Sequence, residues 1–133
     1  MSVHEGAGGR IIHLEGGWVR KEQKRAARKG RVPINRQLQL QQWVSIHLTE
    51  KNGYRQLFCP AARPSSVPNS YEMQAVDVSA DPFLLGTVPT AYAAEVERLR
   101  VAFEAGAGAT MLDVEFYVQT DGRVAVVDFD QCF

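Results

Sequence analysis

Two β-rich runs separated by Asp121-Gly122 dominate the C-terminal part of this 133-residue chain. An Asp-Gly pair between two such runs is the strongest short-range signal of a β-hairpin with a two-residue turn. We therefore predict a hairpin over residues 112–130. Because side chains alternate between the two faces of a strand, the turn also decides which residues share a face.

A two-residue turn fixes the cross-strand pairs of the predicted hairpin. It places Glu115 opposite Asp128 and Asp113 opposite Asp130, so one face ends in four acids while the other is apolar. Like charges directly opposite each other are destabilising, so the cluster requires a cation, a basic partner or raised pKa values. Mg²⁺ binds oxygen ligands, so the four acids form a candidate metal site. Solvent exposure or pairing with the chain's own basic residues is the alternative.

Charge is distributed unevenly along the chain, although its formal net charge is zero. Residues 1–64 contain 12 Lys/Arg and 4 acids, whereas residues 65–133 contain 3 and 11. The basic segment 20–36 contains eight of the Lys/Arg residues, a density that suits binding to RNA or another polyanion. A solvated basic face, or one docked on the acidic C-terminal half, is equally consistent with the pattern. The candidate polyanion contacts are Lys24, Arg25, Arg28 and Lys29.

The composition argues against several classes of protein. No apolar run approaches the length that spans a bilayer, and the N-terminus lacks the apolar core of a secretory signal. Cys59 and Cys132 form no Cys-x-x-Cys pair, which favours free thiols in a reducing, intracellular compartment over a disulfide or a zinc site. The histidines His4, His13 and His47 show no ligand spacing.

Helical spacing of apolar residues predicts two main helices, over residues 35–51 and 91–105. In the first, Leu40, Val44 and Leu48 share one face with Trp43 and His47, and in the second the apolar face is Tyr92, Val96, Leu99 and Phe103.

Strand patterns complete the predicted fold. A hairpin is expected around a turn at Gly16-Gly17 over residues 11–22, in a register that places Ile12 and Leu14 on one face with Val19 and Lys21. Shorter strands are expected within 54–59 and 70–78. We therefore predict a single α+β domain over residues 1–133, in which two helices pack on an antiparallel sheet built from hairpins. Residues 1–10 are glycine-rich and are expected to be a flexible start.

The C-terminal hairpin resembles that of protein-kinase-like phosphotransferases, which ends in the metal-binding Asp-Phe-Gly motif. The sequence Asp113-Val-Glu115-Phe116, followed by Val127-Asp128-Phe129-Asp130-Gln131-Cys132, is similar to an uncharacterised family of fungal kinase-like domains. The resemblance implies that Asp128 binds metal. It also implies that Glu115, seven residues before the turn glycine, occupies the position of the catalytic-loop Asn.

The order of upstream segments resembles a kinase small lobe. Gly6-Ala-Gly8-Gly9 resembles the glycine-rich loop, Trp18-Val19-Arg20-Lys21 the strand whose Lys contacts nucleotide phosphates, and Tyr71-Glu-Met73-Gln-Ala-Val76-Asp77 a hinge strand. The helix over 35–51 corresponds to the one that supplies a Glu to that Lys. A flexible terminus and a surface lysine are the alternatives for the first two segments. The implied nucleotide contacts are Gly6, Gly8, Lys21 and Met73.

Departures from the kinase pattern point to a degenerate domain. There is no His-Arg-Asp motif, and Thr110 stands where its catalytic Asp is expected. The first helix offers glutamines and no Glu before Glu50, and Asp130 replaces the motif glycine. The resemblance therefore implies a pseudokinase that binds Mg²⁺ or Mg-ATP with little or no phosphoryl transfer. The alternative is a nucleic-acid-binding or assembly protein, with RNA or a protein partner on segment 20–36 and no membrane contact.

Overall fold

The computed structural model describes the backbone of residues 3–6 and the complete residues 9–23 and 31–133. These residues form an α+β fold with two main helices, which confirms the predicted class. In chain order the elements are β1 (Val3–Gly6), β2 (Gly9–His13), β3 (Trp18–Gln23), α1 (Ile34–His47), β4 (Leu57–Phe58), β5 (Ala62–Pro64), β6 (Ser70–Gln74), α2 (Ala93–Gly106), β7 (Met111–Val118) and β8 (Val124–Cys132).

The larger sheet is antiparallel and has the strand order β1-β2-β3-β6-β5. Its central hairpin, β2–β3, pairs Ile11 with Lys21. A two-residue turn at Gly16-Gly17 places Lys21 opposite Ile12, and that predicted register is wrong by one residue. The loop has three residues, because the Leu14 N–H donates to the Trp18 carbonyl at 2.8 Å and both glycines between them have positive φ.

Helix α1 begins one residue earlier than predicted and ends at His47, four residues before the predicted end. It stops there because a 3-10 turn follows, in which the Thr49 side chain accepts from the Asn52 N–H and Gly53 adopts φ 88°. The buried face of α1 contains two glutamines beside its apolar residues, a feature that apolar spacing alone does not predict. The buried residues are Gln37, Leu40, Gln41 and Val44.

Helix α2 buries Val96, Leu99 and Phe103 as predicted. Its first turn also fixes the smaller sheet, which has the order β4-β8-β7 with β4 parallel to β8. The Glu95 carboxylate accepts hydrogen bonds of 3.0–3.3 Å from three consecutive backbone N–H groups that lead into β4. The Glu95 carboxylate therefore anchors the start of the short strand β4 beside β8.

The β7–β8 hairpin exists as predicted, but its register differs by one residue. The Gln119 N–H donates to the Arg123 carbonyl at 2.8 Å, so the loop has three residues and ends on Gly122 at φ 85°. A left-handed glycine at the end of a three-residue loop is a common alternative to the two-residue turn. Consequently Glu115 pairs with Val127 and not with Asp128.

A bulge in β8 changes the register again before the strand ends. Asp113 pairs with Gln131, so residues 128–130 lie opposite Val114 alone, and the predicted Asp113–Asp130 pair does not form. Asp128 adopts φ 69° in the bulge, a left-handed conformation that is uncommon for a residue other than glycine. Phe129 is fully buried in the core.

Two clusters of buried residues join these elements. The main cluster lies between the two helices and the smaller sheet and includes Leu99, Phe103 and Phe129. The second consists of Val19, Tyr71, Met73, Tyr117 and Val127, and it packs the larger sheet against the β7–β8 hairpin. A cleft lies beside this second cluster.

We predict that Glu95→Ala lowers the free energy of unfolding by about 1–2 kcal/mol, since it leaves the N–H groups of Arg55, Gln56 and Leu57 without their charged acceptor. Urea denaturation measures the change. Glu97→Ala is the control, because Glu97 lies on the same helix and makes only an exposed pair with Arg100. Equal stability of both variants would contradict this role of Glu95.

Candidate functional site

A cleft of about 340 Å³ lies where the larger sheet, α1 and the β7–β8 hairpin meet. Part of its wall is apolar, and the rest carries ionisable side chains. The apolar part includes Ile11, Tyr71, Met73, Val78, Leu84 and Val127. The ionisable part includes Lys21, Arg31, Asp113, Glu115, Asp128 and Asp130.

Lys21 links three elements at the charged part of the cleft. Its Nζ lies 3.3 Å from Oδ1 of Asp128 on β8 and donates to Oε1 of Gln37 on α1 at 3.0 Å. The lysine side chain is 16 % exposed and that of Asp128 is 32 % exposed. Burial disfavours the ammonium, but nearby Tyr71 and Asp128 raise the pKa of Lys21 above its usual value. The lysine is therefore charged at neutral pH.

Gln37 is the residue that sequence reasoning missed at this site. It is 2 % exposed, and its Nε2 donates to the Val32 carbonyl at 2.8 Å while its Oε1 accepts from Lys21. Both ends of the amide are satisfied, so Gln37 orients the lysine without adding a negative charge. One signal was available, because Gln37 lies on the same helical side as Leu40 and Val44, where a polar residue needs an internal partner.

The bulge brings Asp128 to Glu115, although the β-ladder does not pair them. Asp128 lies close enough to Glu115 for its charge to act on that carboxyl group, and the Tyr117 hydroxyl donates to Glu115 Oε2 at 3.3 Å. Burial and the Asp128 charge raise the pKa of Glu115 to about 7. Burial also opposes ionisation of Asp128, but the Lys21 charge and the neighbouring Glu115 hold the pKa of Asp128 below its usual value.

Asp130 is the third carboxylate of this group, and it forms a salt bridge with a residue of the same chain. Arg31 donates to Asp130 Oδ2, and the Val32 N–H donates to the Asp130 carbonyl at 3.0 Å. Burial and the neighbouring Asp128 charge raise the pKa of Asp130. Arg31 and Lys21, two residues of basic segment 20–36, thus pair with the acidic C-terminal strand.

Asp113 lines the cleft but takes part in a different interaction. Its Oδ1 accepts from its neighbour Val114 N–H at 3.0 Å and from the Leu85 N–H at 3.2 Å. Across residues 9–23 and 31–133, no three His, Cys, Asp or Glu side chains are arranged to hold a metal ion among themselves. Of the four predicted metal ligands, Asp128 lies near enough to Glu115 and to Asp130 for the charges to interact, but the three side chains form no such group.

The other predicted contacts are distributed as follows. Met73 is buried in the cleft wall, where its sulfur accepts from Gln41 Nε2 at 3.3 Å. Gly6 is a strand residue, paired with Gly9. Gly9 lines the cleft, and strand pairing is so close there that an added Cβ would lie 2.1 Å from the Glu22 carbonyl oxygen.

Five of the predicted contact residues lie outside the described residues: Gly8, Lys24, Arg25, Arg28 and Lys29. The nucleic-acid alternative, which depends on the last four, therefore stays a prediction.

Comparison with known proteins identifies no relative. No protein-family model, curated protein or solved structure matches this chain. In the described part of the chain, neither helix has the length and apolar character needed to cross a membrane. The geometry of the cleft is therefore the basis for a functional interpretation.

We predict that Glu115→Gln stabilises the protein at pH 8 and has little effect at pH 4. The folded-state pKa is about 7, whereas an unfolded Glu titrates near ~4.3. Between these values the unfolded state loses the proton that the folded state keeps, so wild-type stability falls as pH rises from about 4.3 to 7. The glutamine removes this loss, which amounts to about 3–4 kcal/mol at about 1.4 kcal/mol for each unit between the two pKa values.

Urea denaturation at both pH values, with EDTA present, measures the effect. Glu50→Gln is the matched control, because Glu50 is exposed and distant from the cleft. An equal effect of Glu115→Gln at pH 4 and pH 8 would show that Glu115 titrates normally in the folded protein.

Proposed function

We propose that this protein is a degenerate kinase-like domain that binds a Mg-nucleotide in the cleft, with little or no phosphoryl transfer. The observation that carries the proposal is the placement of Lys21. It is held between Asp128 and Gln37 at the charged part of a cleft whose remaining wall is apolar. A positioned ammonium beside a carboxylate suits a ligand that carries both phosphate and a cation.

The dimensions and lining of the cleft support a nucleotide as its ligand. Small-molecule sites typically enclose about 300–1,000 Å³ and combine an apolar lining with a few placed polar groups. The cleft lies within that range, and its apolar side chains offer a surface for a planar base. Its charged part then faces the phosphates.

The carboxylates have the chemistry that Mg²⁺ requires. Mg²⁺ sites commonly use one or two carboxylates and complete the shell with substrate phosphates and water. Asp128 and Glu115 would hold the ion. The other two acids already have partners: Arg31 donates to Asp130, and two backbone N–H groups donate to Asp113. The charge of each carboxyl group opposes ionisation of the other, and a bound cation would relieve this mutual repulsion. Its chemical contribution would be to neutralise phosphate charge.

The resemblance to kinases agrees with this placement. It implies a nucleotide site formed by a lysine strand, a helix that supplies a partner to the lysine, a hinge strand and a metal-binding terminal hairpin. The corresponding elements β3, α1, β6 and β8 each contribute a side chain to the cleft: Lys21, Gln37, Met73 and Asp128.

Departures from the kinase sequence pattern explain why phosphoryl transfer is expected to be weak. Thr110 stands at the position of the catalytic Asp, and its backbone pairs with Phe133. A threonine hydroxyl is a poor general base at neutral pH. In an active kinase the lysine pairs with a carboxylate on this helix, whereas here its partner on α1 is the neutral amide of Gln37. The charge around the phosphates therefore differs from that of an active kinase.

We predict that MgADP and MgATP bind the wild-type protein and that Lys21→Met weakens binding by about ten-fold or more, since a lost charge-assisted contact to phosphate costs at least about 1.4 kcal/mol. Calorimetric titration measures both affinities. Replacing Mg²⁺ by EDTA should also weaken binding, because Asp128 and Glu115 then repel the phosphates.

Lys51→Met is the matched control, because Lys51 is exposed and lies beyond the end of α1. Absence of wild-type binding at millimolar MgADP, or equal binding by the two lysine variants, would contradict the proposal. Rapid phosphorylation of the protein or of a generic substrate from radiolabelled ATP would overturn its claim of weak transfer.

A further inference from the structure

Segment 76–88 lies between β6 and α2 in the chain and contributes to the cleft wall. It lies along the outer edge of β7 without forming a long strand. Near its start, the Gln119 side chain accepts from the Asp77 N–H at 2.8 Å and donates to the Asp77 carbonyl at 3.0 Å. In its middle, Phe83 and Phe116 exchange two backbone hydrogen bonds of 3.0 and 2.9 Å.

The third attachment of segment 76–88 is the Asp113 carboxylate. Its Oδ1 accepts from the Leu85 N–H and from Val114 N–H, so one oxygen ties the segment to β7. The side chains on either side of Leu84 pack against the protein: the Phe83 ring stacks on Phe116, and Leu85 packs against the main cluster. Leu84, between them, lines the cleft and is 37 % exposed. Leu84 thus lies between two residues that are held on β7, Phe83 by its backbone and Leu85 by the Asp113 carboxylate, and its own N–H donates to Thr87 Oγ1.

We propose that Asp113 is a positioning residue, which sets the nucleotide-binding wall by fixing Leu84 and does not bind metal. This inference rests on the proposed function, because it assigns the Leu84 wall to that same ligand. The two roles differ in what they need from residue 113. A metal ligand needs a carboxylate charge, whereas the attachment needs only an acceptor oxygen, which asparagine also supplies.

Three variants separate these roles: Asp113→Asn, Asp113→Ala and Leu84→Ala. For each, calorimetry gives the MgADP affinity, and NMR gives the exchange rate of the Leu85 amide proton, which reports its hydrogen bond. In Asp113→Ala we expect this exchange to be about ten-fold faster and MgADP affinity about five-fold weaker. In Asp113→Asn both should stay within about two-fold of wild type. In Leu84→Ala, MgADP should bind more weakly while the Leu85 amide keeps its protection.

Two results would overturn the inference. The first is equal loss of MgADP affinity in Asp113→Asn and Asp113→Ala with the Leu85 amide still protected in the asparagine variant, which would show that charge is required. The second is unchanged Leu85 exchange in Asp113→Ala. If the wild-type protein binds no MgADP, the proposed function fails, and amide exchange alone then decides whether Asp113 fixes this segment.

Discussion

The rest of the site depends on one partly buried ammonium group. Lys21 projects from the larger sheet into a region with little access to water, where an unpaired charge is costly. Asp128 supplies the opposite charge and Gln37 supplies a neutral acceptor. Asp128 belongs to β8 and Gln37 to α1, so the contacts of Lys21 join the larger sheet to the smaller sheet and to a helix. The cleft is the space beside this connection.

The two hairpins show which structural features a short sequence signal can predict. Gly16-Gly17 and Asp121-Gly122 both mark real turns, because each provides glycine at a left-handed position. They do not determine loop length, and both loops contain three residues where two were predicted. A loop longer by one residue shifts the pairing of the strands by one position, so Lys21 pairs with Ile11 and not with Ile12. The bulge at Asp128 then brings the acids together in a way that strand alternation does not predict.

Polar residues on apolar faces account for most of what sequence reasoning missed. The helices and their buried apolar residues follow from spacing, and α2 matches its prediction closely. Gln37 and Gln41 are buried because long-range partners satisfy them: Lys21 and Val32 for the first, Tyr71 and Pro60 for the second. These partners lie up to 30 residues away, so local pattern gives no sign of them. The four acids were recognised as a group, but only their three-dimensional contacts separate Asp113 from the others.

A double-mutant cycle between Lys21 and Asp128 tests the central claim, that this pair joins the two sheets and builds the site. The variants are Lys21→Met, Asp128→Asn and the combination, with stability measured by urea denaturation at pH 7 without metal. Asparagine keeps the shape of Asp128 and tolerates its left-handed backbone. We predict a coupling free energy of about 1–3 kcal/mol, with the double variant less destabilised than the sum of the single variants. Additive effects, with coupling below about 0.3 kcal/mol, would show that the lysine and the aspartate act independently and would contradict this view of the site.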